Sequence, residues 1–367
     1  MISRLQFEPM KGYTTPSPDS HLLSEWHALA SLLTCQRQSV SMDSSTISVE
    51  RMLHLAKANG LLLAVVDALK LVDKGGLFPS AYEADYRRAK SLKENTHRVI
   101  GEVLVAFEQA RLPLLTIKSF LPFPCVDSNI DLVAVGTARI DAYRDVLYEL
   151  GYKRRSNLAD LREPYKRMYQ ASDRGKDKTY PMLHLHRAIS WNGVEYLNLS
   201  TVWQRYRLMD VNSIQIPVPS FEDAVLIMAA HAIFENKYVT LKELVYLQWL
   251  TEHQLDWGYI VRSAESLFWR EALDTFLSTA LALARALNLV IDVEVDLPSL
   301  RVVPQLPLPY LFPFQQTFAV SREKLGQDLA CGHWRTLARQ LFSYFFVDSV
   351  WMYRKAWRKC RAVTKIV

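Results

Sequence analysis

Glycine is scarce in this chain, with 12 among 367 residues, and cysteine numbers only four. Few glycines mean few positions free to take the left-handed conformations of tight turns, so the composition points to a helix-rich, turn-poor globular chain. The cysteines (Cys35, Cys125, Cys331 and Cys360) are scattered without a Cys-x-x-Cys pair. That spacing argues against a disulfide framework or a cysteine-based zinc site and leaves buried or idle thiols. No uninterrupted apolar run reaches the roughly 18 residues of a membrane span. The first twenty residues, MISRLQFEPMKGYTTPSPDS, lack the apolar centre of a signal peptide. Cytoplasm is therefore the expected compartment. Internal repeats and low-complexity tracts are also missing.

Apolar residues make up 50% of the chain and charged ones 22%. At this length two or three packed units are expected. The net charge of +6 is unevenly placed. Residues 332–367 hold eight cations (Arg335, Arg339, Arg354, Lys355, Arg358, Lys359, Arg361, Lys365) against Asp348 alone. Trp334, Phe342, Trp351 and Trp357 are interleaved with them. Such a stretch reads either as an amphipathic helix on an anionic membrane surface or nucleic acid, or as a closing helix with its cations in water. Either way, salt-sensitive adsorption to polyanions is expected.

Taken in order, 1–20 reads as a flexible arm and 21–112 as a helical region. Val49, Met52, Leu53 and Ala56 recur at helical spacing. Ser80 and Glu83 form a capping-box pattern before a long helix with Val99, Val103 and Phe107 on its buried side. A core of strands and helices follows over 113–216. Ile140, Tyr143, Val146, Leu147 and Leu150 make one helical face, with Gly151 as the cap. The span from Arg154 to Lys178 reads as polar and charged, with 171–178 a solvent loop. Thr179 to Trp191 alternates as a strand, and Asn192-Gly193 signals a hairpin. The hairpin favours an α+β fold over a doubly wound one. Capping patterns at Ser220 and Thr240 open a helical region, 217–296. Pro298, Pro304, Pro307, Pro309 and Pro313 make 297–314 an extended connector, and 315–367 is the basic, aromatic helical region.

The chemistry concentrates in PLLTIKSFLPFPCVDSNIDLVAV, 113–135. Asn129 and Asp131, two apart, leave the same face of a strand, and Lys118 with Ser119 closes the strand before it. This is the arrangement of a metal and phosphate site, with an amide where a carboxylate is wanted. Without further context, both could be strand-end residues capping a turn. His184 and His186, also two apart, could join Asp131 as ligands of a softer metal such as Zn²⁺, or simply be packed and hydrogen-bonded. His231, beside Ile227 and Phe234 on its helix, reads as a satisfied core histidine.

The order of these features resembles the uncharacterised nucleotidyltransferases of the DNA polymerase β-like superfamily. It runs from a strand ending at Lys118 to a strand carrying Asn129-Ile130-Asp131-Leu132 and a helix ending Leu150-Gly151-Tyr152. A strand with His184-Leu185-His186 follows, then a helical region whose first helix bears His231. The likeness runs from about Ile47 onward and is clearest from Leu114 to His231. It implies a small mixed or antiparallel sheet of the nucleotidyltransferase type, flanked by N-terminal and C-terminal helical regions. It also implies transfer of NMP from an NTP to an acceptor, a protein or a small molecule, with Mg²⁺ (or Mn²⁺) held by strand carboxylates. On that alignment Asp131 is the metal ligand, Asn129 and His184 are the other catalytic positions, and Lys118, Ser119 and His186 contact substrate.

The match departs from the family at three places. Asn129 replaces one carboxylate, His184 replaces another, and Ser119 replaces a glycine. A close charge pair is worth roughly 4 kcal/mol at an effective dielectric near 20, and about 1.4 kcal/mol changes a rate tenfold. Two missing anionic ligands therefore weigh against ordinary two-metal chemistry unless Asp127, Asp173, Asp177 or Glu195 substitutes. The expectation has two branches: an impaired nucleotidyltransferase, or a pseudoenzyme whose cleft binds a nucleotide or a partner.

Overall fold

The computed structural model describes residues 20–33, 47–72, 79–125, 128–136, 139–155, 165–173, 177, 179–191, 194–300, 304, 306, 308–313 and isolated positions up to 338. Asp127, the Asn192-Gly193 pair and almost all of the basic 315–367 region lie outside the described residues.

Three helices open the fold: α1 (Ser20–Leu33), α2 (Val49–Ala58) and α3 (Leu62–Val72). Helix α4 (Glu83–Gln109) follows a tight 3₁₀ turn at Ser80–Tyr82. The Ser80–Glu83 capping box does not form, because Ser80 lies inside that turn instead of preceding the helix. Glu83 and Asp85 still meet the positive end of the helix dipole. Val99, Ile100, Val103 and Phe107 form its buried stripe. Arg111, at φ +56°, turns the chain out of the helix two residues before Pro113.

The central sheet has five strands in the order β1-β2-β5-β4-β3: β1 (Leu114–Ile117), β2 (Asn129–Ala134), β3 (Tyr152–Arg154), β4 (Lys166–Ala171) and β5 (Met182–His186). Only β2 and β5 run parallel; the other pairs are antiparallel. The fold is thus α+β with a small mixed sheet. Helix α5 (Ile140–Glu149) joins β2 to β3, and Gly151 at φ +82° makes the left-handed exit that a side chain would resist. Strand β4 falls inside the span that reads from sequence only as polar and charged. It is polar and mostly half-buried, so its period-2 signal is weak. A short pair, β6 (Ile189–Trp191) and β7 (Val194–Leu197), flanks the Asn192-Gly193 pair as an antiparallel hairpin. Helix α6 (Leu199–Gln204) leads to a second hairpin, β8 (Arg207–Val211) and β9 (Ile214–Val218), with β9 against β1.

Four helices dominate 221–286, the helical half of the described body: α7 (Phe221–Ala230), α8 (Leu241–Thr251), α9 (Trp257–Ser266) and α10 (Arg270–Ala286). Ser220 accepts from the Asp223 amide to cap α7, and Thr240 with Glu243 completes a reciprocal capping box on α8. Tyr238–Val239 (β10) pairs with Tyr310–Leu311 (β11), which ties the proline-rich segment back to the body. Among the described residues no helix is long and apolar enough to cross a membrane.

Two apolar cores flank the sheet. Ile130, Leu132, Leu183 and Leu185 point one way, onto α4 and α5. Leu115, Ile117, Val133 and Val135 join the larger core, which is shared by α1–α3 and α7–α10. The polar positions of β2 and β5 alternate with the first set and so face the helical half.

Candidate functional site

Register builds the site. In the parallel β2–β5 pair Asn129 lies opposite Met182, Asp131 opposite His184 and Val133 opposite His186. On the far side of β5, Lys166 of β4 pairs with His186. Asn129, Asp131, His184, His186 and Lys166 therefore emerge from one face of three neighbouring strands. The six residues singled out in the sequence (Lys118, Ser119, Asn129, Asp131, His184 and His186) all converge here.

The two oxygens of Asp131 are divided between different partners. His184 Nδ1 lies 3.1 Å and His186 Nε2 2.9 Å from Oδ1. Because a carboxylate oxygen only accepts, both rings donate to it. Asn129 Nδ2 donates to Oδ2 at 2.8 Å, and Lys118 Nζ lies 3.6 Å from the same atom. The Asp131 amide donates to Ser119 Oγ at 2.9 Å, and that hydroxyl donates to the Ile117 carbonyl at 3.0 Å. Ser119 thus latches β1 to β2. The strain of the turn is carried by Lys118 itself, at φ +61°.

The opposite wall comes from the helical half. Past Ala230, α7 widens into a π-helical turn over His231–Asn236, a form often found at functional sites. It aims Glu235 at the sheet. Lys118 Nζ lies 3.9 Å from Glu235 Oε2, and Lys166 Nζ 3.9 Å from Oε1. His231 Nε2 lies 3.2 Å from Oε2, while Asn236 Nδ2 donates to His231 Nδ1 at 3.1 Å. His231 is satisfied at both nitrogens, as expected, but it is half-buried and one of its partners is a cleft carboxylate. Lys118 bridges two carboxylates, one from each half of the molecule.

Burial works to raise the Asp131 carboxyl, but Lys118 and the two imidazole donors overcome it and hold the group well below the usual carboxylate range. Glu235 follows the same logic: Lys166, Lys118 and His231 outweigh its burial and lower it strongly. Burial pushes His186 down to about 4 despite Asp131 beside it, so its ring is neutral at pH 7. His231 is lowered by burial and then by Lys118. The cleft therefore holds two carboxylates balanced by two ammonium groups.

Residues 128–285 match a family model described as an uncharacterised nucleotidyltransferase. The matched span is a little under half of the chain. The antibiotic-resistance factor ANT(2'')-Ia, solved in solution, is similar over 53% of this chain and 96% of its own, at 15% identity and a TM-score of 0.30. No curated protein matches the sequence. Within the matched span lie Asn129, Asp131, Lys166, both strand histidines and Glu235; Lys118 and Ser119 precede it.

Of the substitute carboxylates weighed from sequence, Asp173 is exposed in the turn after β4 and Glu195 is exposed on β7. Asp177 accepts from the Thr179 amide and hydroxyl. The acidic residue that does enter the cleft is Glu235, which sequence reading missed together with Lys166. The available signal was His231 and Glu235 at i,i+4 directly after the apolar run 224–230.

Proposed function

We propose that this nucleotidyltransferase-like protein binds the phosphates of a nucleotide in the Lys118–Lys166 cleft and has given up ordinary Mg²⁺-dependent NMP transfer. The observation that carries this reading is the state of Asp131. Both of its oxygens are already engaged, and no second acidic side chain stands on its face of the described strands. Mg²⁺ asks for near-octahedral oxygen coordination and usually one or two carboxylates besides substrate oxygens. One carboxylate beside two imidazoles does not fit it. Lys118 and Lys166 keep part of their side chains accessible, 16% each, and supply the positive charge a phosphate seeks.

Retained transfer to an acceptor, a protein or a small molecule, is the second reading. It draws on Glu235, a carboxylate within reach of the same lysine.

The experiment incubates the full chain with each α-labelled NTP in Mg²⁺ or Mn²⁺, with binding measured in parallel by calorimetry. The expected result is binding that Lys118→Ala weakens, with no Mg²⁺-dependent transfer above that of Asp131→Ala. Label transfer in Mg²⁺ that vanishes in Asp131→Ala would install the second reading instead.

A further inference from the structure

We propose that Asp131, His184 and His186 form a three-ligand site for a divalent cation of the Zn²⁺ class, at the position where the family resemblance implies Mg²⁺. The proposal builds on reading this cleft as an altered nucleotidyltransferase centre and deepens it by naming the ion.

The donor set is the first argument. Borderline-soft ions take imidazole nitrogen together with carboxylate, whereas Mg²⁺ takes hard oxygen. Histidine at 184 sets imidazole nitrogen where the resemblance implies a carboxylate oxygen, and the amide at 129 takes away a second negative charge. Geometry is the second. One ligand atom from each of the three side chains lies within 4.8 Å of the others, and all three residues are buried. Zn²⁺ bonds of about 2.0–2.2 Å place tetrahedral ligand atoms roughly 3.3–3.6 Å apart. The 3.1 and 2.9 Å spacings from Asp131 Oδ1 to the two rings are already close to that.

The hydrogen bonds already aim the ligating atoms. Each ring turns one nitrogen, Nδ1 of His184 and Nε2 of His186, toward Oδ1 of Asp131. Those are the atoms a cation would take, with each neutral ring then carrying its proton on the outer nitrogen. Asn129 and Lys118 meanwhile hold Oδ2, which fixes Oδ1 toward the imidazoles as outer partners of a ligating carboxylate do. Lys118 also has Glu235 as a second counter-charge, so it keeps an anionic partner when a cation takes a share of Asp131. Three protein ligands leave a fourth position for water or a phosphate oxygen.

The test uses the full-length protein, stripped of metal and free of nucleotide. Zn²⁺, buffered by a competing chelator, is titrated by calorimetry beside Mg²⁺, and Co²⁺ is added to read the visible absorption of a four-coordinate nitrogen–oxygen site. The expected result is one equivalent of Zn²⁺, no matching Mg²⁺ isotherm and a tetrahedral Co²⁺ spectrum. His184→Asn/His186→Asn should abolish all three, and Asn129→Ala should weaken Zn²⁺ about tenfold while leaving the ligands in place. Wild-type protein that takes up no Zn²⁺, or that shows an octahedral Co²⁺ spectrum, overturns the proposal. So does Zn²⁺ uptake unchanged in a double variant whose circular dichroism matches wild type. Zn²⁺ binding without nucleotide binding would refute only the earlier reading, and nucleotide binding without Zn²⁺ only this one.

Discussion

Lys118, at the end of β1, reaches Glu235 on the π-helical turn at 3.9 Å while remaining 3.6 Å from Asp131. That one ammonium group joins the sheet to the helical half through a largely buried ion network. Such a network is sensitive to the loss of a single member, because each remaining charge stays desolvated.

Replacing Lys118 with Met should accordingly destabilise the protein by roughly 3 kcal/mol, since Asp131 and Glu235 would then share the cleft with less compensation. Urea unfolding measures it. Adding Glu235→Gln to Lys118→Met should recover part of the loss, because the second change removes the stranded anion. A double variant whose losses simply add would mean that the two residues do not interact.

Acid should weaken the fold in two stages. The His186 and His231 rings titrate lower in the folded protein than their ordinary 6.5, so from there downward the unfolded chain binds more protons and stability falls with pH. For His186 the loss continues to about 4. Glu235 and Asp131, both held far below ordinary carboxylates, add a second decline below about pH 4. Denaturation midpoints from pH 7 to pH 3 should show this shape, and Glu235→Gln should flatten the lower stage. A midpoint that rises on acidification would contradict the assigned environments.

Asn59 links the N-terminal helices to the helical half. It is buried, its Nδ2 donates to the Leu55 carbonyl at 2.9 Å, and its Oδ1 accepts from the Leu241 amide at 3.0 Å. Asn59→Ala strands that amide at the start of α8 and should cost about 1–3 kcal/mol. Hydrogen exchange at the Leu241 amide should rise with it.

Tyr143 plays a similar part on the other side of the sheet. Its hydroxyl lies 2.8 Å from the Pro113 carbonyl and 2.6 Å from that of Val135, pinning the entry of β1 to the exit of β2. Tyr143→Phe keeps the ring packed on Phe107 and removes only the donor. A loss of about 1 kcal/mol is expected in thermal or urea unfolding. Nucleotide and metal binding should not change.

The span from Leu114 to His231 was the most legible part of the chain because its signals are local. Strand alternation put Asn129 beside Asp131 and His184 beside His186, and Gly151 marked the end of α5. Strand β4 escaped notice because its exposure hardly alternates, and a strand without alternation looks like a charged loop. Ser80 misled for a related reason: a capping pattern states which residues could bond, not where the helix will start.

By itself, then, the sequence determined the identity of the polar groups: one aspartate, two strand histidines, a lysine and an amide. Only the tertiary structure decided how those groups are used. Folding the helical half onto the sheet brought Glu235 and His231 to Lys118 and Lys166, and it closed the charge balance of the cleft. The physical reason is range. Side-chain direction along a strand follows from its period of two, whereas pairing of charges across a cleft depends on how two separate cores pack, which no local spacing records.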